Sequence, residues 1–365
     1  MEWFAKYSSN TLGAGGNQFV FRPKKNEVQR GRVYYRIFAG GTYEYSLLYS
    51  NVTDSTFADG SVSRCNQICD EWELLGVKVG LCDFCDGKTA ADPVEAVSLT
   101  FGGKTEKTVA PGEFFTSDPV KITAKKGQYL CVEITYRGSV VPIHEESILP
   151  AFVWAENQWK PSRNFPFPGM IGCDRKTKGT VGFWGDSITQ GCGTPCNAYA
   201  HWNAPAAEAM GEEYAFWNLG LGYARASDAA SKGAWMFKAK HVDAMVLCFG
   251  TNDIGKNHTQ EQIIADLTEI LSTLQKAGIK VLLQTLPPFN WQNEKLEIWR
   301  NVNQYIRENL AKQADAFFDV APLLTDGPEE NGTCKYGGHP NEEGCRVWAE
   351  ALTPVLREFL EKAFV

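Results

Sequence analysis

At 365 residues the chain exceeds what one hydrophobic core usually serves, so two domains are expected. Its content, 44% hydrophobic and 22% charged, is that of an ordinary globular protein, and the net charge of -7 offers nucleic acid no basic footprint. No apolar run approaches the roughly 18 residues that cross a bilayer, so no membrane span and no membrane partner are expected.

Residues 1–160 read as short β-branched and aromatic runs at 33–38, 43–49, 75–79, 97–101, 120–123 and 129–136. Turn pairs separate them: Gly40-Gly41, Asp59-Gly60, Gly102-Gly103, Pro111-Gly112 and Lys126-Gly127. Many short strands with frequent turns predict an all-β sandwich or jelly roll. Inside this region Cys65, Cys69, Cys82 and Cys85 have the spacing of a structural four-thiolate zinc site, with a set of free thiols as the alternative. Residues 1–10 lack a basic stretch followed by an apolar core. Eleven cysteines, an odd number, fit free thiols in a reducing compartment, so a cytoplasmic location is expected.

Residues 161–179 carry prolines and no periodicity and read as a linker. From 180 to 365 strands alternate with helices. Strands are expected at 181–184, 215–219, 244–249, 280–285 and 316–320, and helices at about 197–210, 225–239, 259–277, 292–313 and 341–363. In the third helix Ile263, Leu267, Ile270, Leu271 and Leu274 recur at helical spacing, with Gly278 as the stop. Strands separated by helices imply right-handed crossovers and a flavodoxin-like three-layer α/β domain with a five-stranded parallel sheet. Ligands of such sheets bind beyond the carboxyl ends of the strands.

Four short blocks fall at those ends: Gly185-Asp186-Ser187, then Asn218-Leu219-Gly220-Leu221-Gly222, then Gly250-Thr251-Asn252-Asp253, and Gly338-His339-Pro340-Asn341 before the last helix. A serine is a weak nucleophile until a base takes its proton and donors receive the oxyanion, and the four blocks together supply residues of each kind. Taken singly, each block fits a turn, and a serine after a strand fits a helix N-cap.

In order and placement, the blocks resemble the SGNH, or GDSL, hydrolase superfamily over residues 180–365. The resemblance implies Ser187 as nucleophile and His339 as base. It implies an oxyanion hole made of the Ser187 N–H, a glycine N–H and the Asn252 amide. Gly222 is the chosen glycine and Gly220 the lesser choice, because Tyr223 stands where a further glycine is usual. Most members also carry an aspartate three residues before the histidine, where this chain has Tyr336. Either Asp326 or Glu330 folds back to orient the imidazole, or the pair is a Ser-His dyad steadied by a backbone carbonyl such as that of Gly337. The other histidines match no block. Asp186 and Asp253 read as supports of their turns.

In the run 286–291, Trp291 is a candidate platform for a sugar ring, with packing beneath the loop as the alternative. The resemblance points to hydrolysis of short acyl esters, acetyl above all, on carbohydrates. The expected partner is a small-molecule or oligosaccharide ester, no cofactor is required, and a homo-oligomer is allowed. The alternatives are a lysophospholipase or general short-chain esterase and, outside enzymes, an inactive carbohydrate-binding protein.

Overall fold

Alternation of apolar and polar residues along the first half of the chain builds two large antiparallel sheets, beside the small pair Phe19–Phe21 and Val141–Ile143. The computed structural model describes residues 1–24, 27–55, 65–144 and 148–364. The turn expected at Asp59-Gly60 lies outside the described residues. The fold divides into Met1–Thr177 with Ala215–Trp217, and Lys178–Tyr214 with Asn218–Val365.

In the first unit, one sheet runs in the order Ser8–Ser9, Met170–Cys173, Gly41–Ser50 and Phe114–Thr116, with Val120–Ala124 also pairing with Gly41–Ser50. The other runs Gln158–Pro161, Ala151–Ala155, Gln29–Arg36, Tyr129–Gly138, Trp72–Cys82 and Val94–Ser98, with Lys107–Val109 paired to Trp72–Cys82. Every run expected as a strand is one, within a few residues. Inward-facing rings hold the core: Tyr49 stacks on Phe115 at 5.2 Å, and Trp72 meets Phe115 and Tyr136 edge-on at 6.1 Å. Within 161–179, expected as a linker, Met170–Cys173 is a fully buried strand paired with Gly41–Ser50, because its apolar side chains complete that sheet.

The thiols of Cys65, Cys69, Cys82 and Cys85 are not gathered within ligand distance among the described residues. Cys82 and Cys85 pack with Cys131, Tyr34 and Phe152 in an apolar cluster, where burial raises the pKa of Cys82 and Cys131. All eleven cysteines are free thiols.

The five-stranded parallel sheet runs in the order Ala215–Asn218, Thr180–Gly185, Ala244–Cys248, Lys280–Gln284 and Ala316–Phe318. Its central strands are buried on both faces, with Val181 opposite Ala244 and Leu247 opposite Leu283. Helices Asn203–Met210 and Glu342–Ala363 pack on each other, while Ala226–Ala230, Gln260–Lys276 and Asn293–Glu308 form a second group, which makes three layers. Gln260–Lys276 opens on a Thr259 capping box and buries the five apolar residues its spacing singles out. The helix expected over 225–239 is two, Ala226–Ala230 and Ala234–Ala239, because Lys232 takes a left-handed φ of 60°. The one expected from 197 starts at Asn203, after left-handed Asn197 and Tyr199.

Candidate active site

The site grows from the end of strand Thr180–Gly185. A Cβ on Gly185 would sit 2.1 Å from Thr189 Oγ1 and 2.6 Å from the Cys248 carbonyl, so only glycine lets the chain turn here. Asp186, 3% exposed, caps the short helix Ser187–Gln190 by accepting from the Ile188 N–H at 2.9 Å. Burial pushes its carboxyl up to about 7. Ser187 thus occupies the first position of that helix, half-buried, with a backbone N–H that donates to nothing else among the described residues.

His339 arrives from the far end of the chain, held by the cap of the last helix, where Asn341 accepts from the Gly344 N–H at 3.0 Å. Its Nε2 lies 2.9 Å from Ser187 Oγ across 152 residues of sequence. Burial lowers its pKa below the usual histidine value. Phe289 meets the imidazole edge-on at 5.6 Å, and a Cβ on Gly338 would fall 2.9 Å from the Phe289 ring, so the glycine makes room for this contact. No carboxylate is hydrogen-bonded to the imidazole among the described residues. Asp326 is exposed, and its backbone N–H donates to Thr333; Glu330 is exposed too, and neither it nor the Gly337 carbonyl bonds the ring.

Two further blocks supply donors. The Gly220 N–H is taken by Asn218 Oδ1 at 2.8 Å, whereas the buried Gly222 N–H has no acceptor among the described residues. Asn218 Nδ2 also ties the Thr189 carbonyl at 3.1 Å, so this asparagine joins the second block to the first. Asn252 donates one amide hydrogen to the Ala224 carbonyl at 2.9 Å, and its amide has a second to give. Its neighbour Asp253, fully buried, accepts from the Ala226 N–H at 2.9 Å and the Ser227 N–H at 3.4 Å. Adjacent side chains thus clamp both ends of the turn Ala224–Ser227, which fixes the loop bearing Gly222 against the loop bearing Asn252.

Trp291 makes its contacts in and beside its own loop. Phe289 stacks on it at 5.1 Å, the Lys295 ammonium lies 5.7 Å from its ring, and Gly255 approaches its edge. Its ring thus meets neighbours of its own loop, and the residue is half-buried. Phe289 carried the signal all along, as an aromatic two residues before Trp291 in a run at a strand's carboxyl end. Asp253, His258 and Asp266 bring ligand atoms within 4.8 Å of one another, but Asp253 is already engaged with two backbone N–H groups.

A hydroxyl in contact with a neutral imidazole suits addition to a carbonyl, provided that N–H donors receive the oxyanion. Residues 183–347 match the GDSL-like Lipase/Acylhydrolase family. No curated protein matches the chain. Among solved structures it is similar to a member of the lipolytic protein G-D-S-L family from Veillonella parvula, 19% identical, TM-score 0.41, covering 49% of this chain and 98% of that one. A carbohydrate esterase family 3 protein from Talaromyces cellulolyticus is 20% identical, TM-score 0.39, covering 50% and 98%. A mutant of an acetyl-xylooligosaccharide esterase from Geobacillus Stearmophilus is 20% identical, TM-score 0.39, covering 50% and 94%.

Proposed function

Because the chain carries a GDSL-like lipase/acylhydrolase domain over residues 183–347, we propose that it is a serine esterase that removes short acyl groups, acetyl above all, from carbohydrates. The observation that carries this reading is the 2.9 Å contact between Ser187 Oγ and His339 Nε2. His339 takes the Ser187 proton as Oγ bonds to the ester carbonyl carbon. The negative charge that develops on the carbonyl oxygen falls to the Ser187 and Gly222 N–H groups and the second Asn252 amide hydrogen. The carbon–oxygen bond to the acceptor then breaks, and the imidazolium returns its proton to the leaving alkoxide. Water repeats the sequence on the acyl-enzyme: His339 takes its proton, the carboxylic acid departs, and Ser187 Oγ is reprotonated.

Support for short acyl groups comes from the surface of the catalytic unit. Long-chain lipases need exposed apolar area to admit a lipid, yet Tyr223 is the one exposed large hydrophobic among this unit's described residues. No described helix is long and apolar enough to cross a membrane.

A fluorophosphonate probe should label wild type and spare Ser187→Ala. A panel of acetylated xylo- and manno-oligosaccharides beside chromogenic esters of rising chain length tests the substrate class. Preference for acetyl on sugars is expected. A preference for long chains would move the reading to a lysophospholipase, and a folded wild type that neither takes the probe nor cleaves any ester would leave a carbohydrate-binding protein.

A further inference from the structure

Tyr223 combines three observations that the esterase reading leaves unused. First, its backbone has φ 60°, in the left-handed region where a bulky side chain is strained and which glycine enters freely. Strained backbone of this kind collects at functional sites, where surrounding structure enforces it. Here the enforcing contacts are known: Asn252 grips the Ala224 carbonyl, and Asp253 grips the Ala226 and Ser227 N–H groups. The other left-handed aromatic among the described residues, Tyr199, is 3% exposed.

Second, Tyr223 stands between the residues that would hold the oxyanion. It follows Gly222, whose N–H has no acceptor among the described residues, and precedes Ala224, which Asn252 holds. Third, the residue is 44% exposed, the one large hydrophobic of the catalytic unit so placed among the described residues. Burying an aromatic there would have been the cheaper choice on hydrophobic grounds alone.

We infer that Tyr223 is a specificity-determining residue whose ring packs against the acyl acceptor, a pyranose-type ring, of the ester bound at Ser187. The inference rests on the esterase reading and adds to it the residue that recognises the acceptor. The acyl group of an acetyl ester is small and stays on the carbonyl carbon that Ser187 attacks. The acceptor stays at the solvent boundary, where a half-exposed aromatic offers a flat apolar surface to the C–H face of a ring. Trp291 does not serve this purpose, since Phe289 and Lys295 pack against its ring.

The test compares three acetates: an acetylated xylo-oligosaccharide, p-nitrophenyl acetate, whose acceptor is also a ring, and ethyl acetate, whose acceptor has none. In Tyr223→Ala, the ratio of kcat/KM for either ring acceptor to that for ethyl acetate should fall about three- to tenfold, the range of one aromatic contact, with the loss in KM. Tyr223→Phe should keep the ratio. Tyr223→Gly should lose it while melting about 2–4 °C higher, because glycine takes the left-handed backbone without strain. An unchanged ratio in Tyr223→Ala, or an equal fall in kcat on all three esters, overturns the inference. Failure of wild type on the sugar ester alone, with p-nitrophenyl acetate still cleaved, sinks the carbohydrate reading and leaves the Tyr223 comparison intact on the other two esters.

Discussion

An imidazole with no carboxylate behind it is a weaker base but a more readily neutral one. Burial alone displaces the His339 pKa, and it does so downward, so the neutral form that accepts the Ser187 proton persists to lower pH than for an ordinary histidine. kcat/KM should therefore rise with pH through a midpoint below the usual histidine value of about 6.5. A pH profile on p-nitrophenyl acetate checks this, and Asp326→Asn should leave that profile and kcat within about twofold, since Asp326 is exposed and makes no hydrogen bond to the ring. A midpoint above 7 that falls in Asp326→Asn would mean that the carboxylate reaches the imidazole during turnover. Asn252 is the other residue whose loss reads directly. Asn252→Ala removes one oxyanion donor and also frees the Ala224 carbonyl, so kcat should drop about 100- to 1,000-fold with a smaller change in KM. A loss confined to KM would remove Asn252 from the oxyanion hole.

At the scale of elements, the second and third blocks act as one piece because Asp253 reaches across to the head of helix Ala226–Ala230. Burial pushes its carboxyl from 3.8 up to about 7. The folded protein therefore holds a proton between those values that the unfolded chain has released. The contribution of Asp253 to stability consequently shrinks as pH rises through that window and levels off above it. Asparagine is neutral throughout. The melting temperature of Asp253→Asn relative to wild type should accordingly climb from pH 5 to pH 8. Thermal melts across that range decide it, and a flat difference would mean that the folded carboxyl titrates near its ordinary value.

For the whole molecule, the distribution of thiols gives a test of the packing in both units. Cys69, Cys82, Cys85, Cys131, Cys173, Cys248 and Cys345 are buried, and Cys196 is the exposed one. Burial pushes Cys82 and Cys173 up to about 11 and Cys69 and Cys345 up to about 12, so their thiolates are scarce at neutral pH. Titration with a disulfide reagent should modify Cys196 first and leave those seven silent until denaturant is added. Rapid reaction of several of them in native buffer would contradict the cores described.

Much of this was legible in residue order, because short-range rules leave periodic traces. Alternation marked the antiparallel strands, spacing marked the helix Gln260–Lys276, and four blocks at strand ends marked Ser187, Asn252 and His339. Breaks such as the one at Lys232 left a weaker trace, since a single left-handed residue alters no periodicity. What only the tertiary structure decided was which groups are already spent. Asn218 takes the Gly220 N–H, Phe289 and Lys295 pack against the Trp291 ring, and an apolar cluster claims Cys82 and Cys85. Those captures join residues distant in sequence or set by side-chain direction. A chain's order specifies which chemistry it carries, while three-dimensional proximity determines which donors, faces and thiols remain available to a substrate.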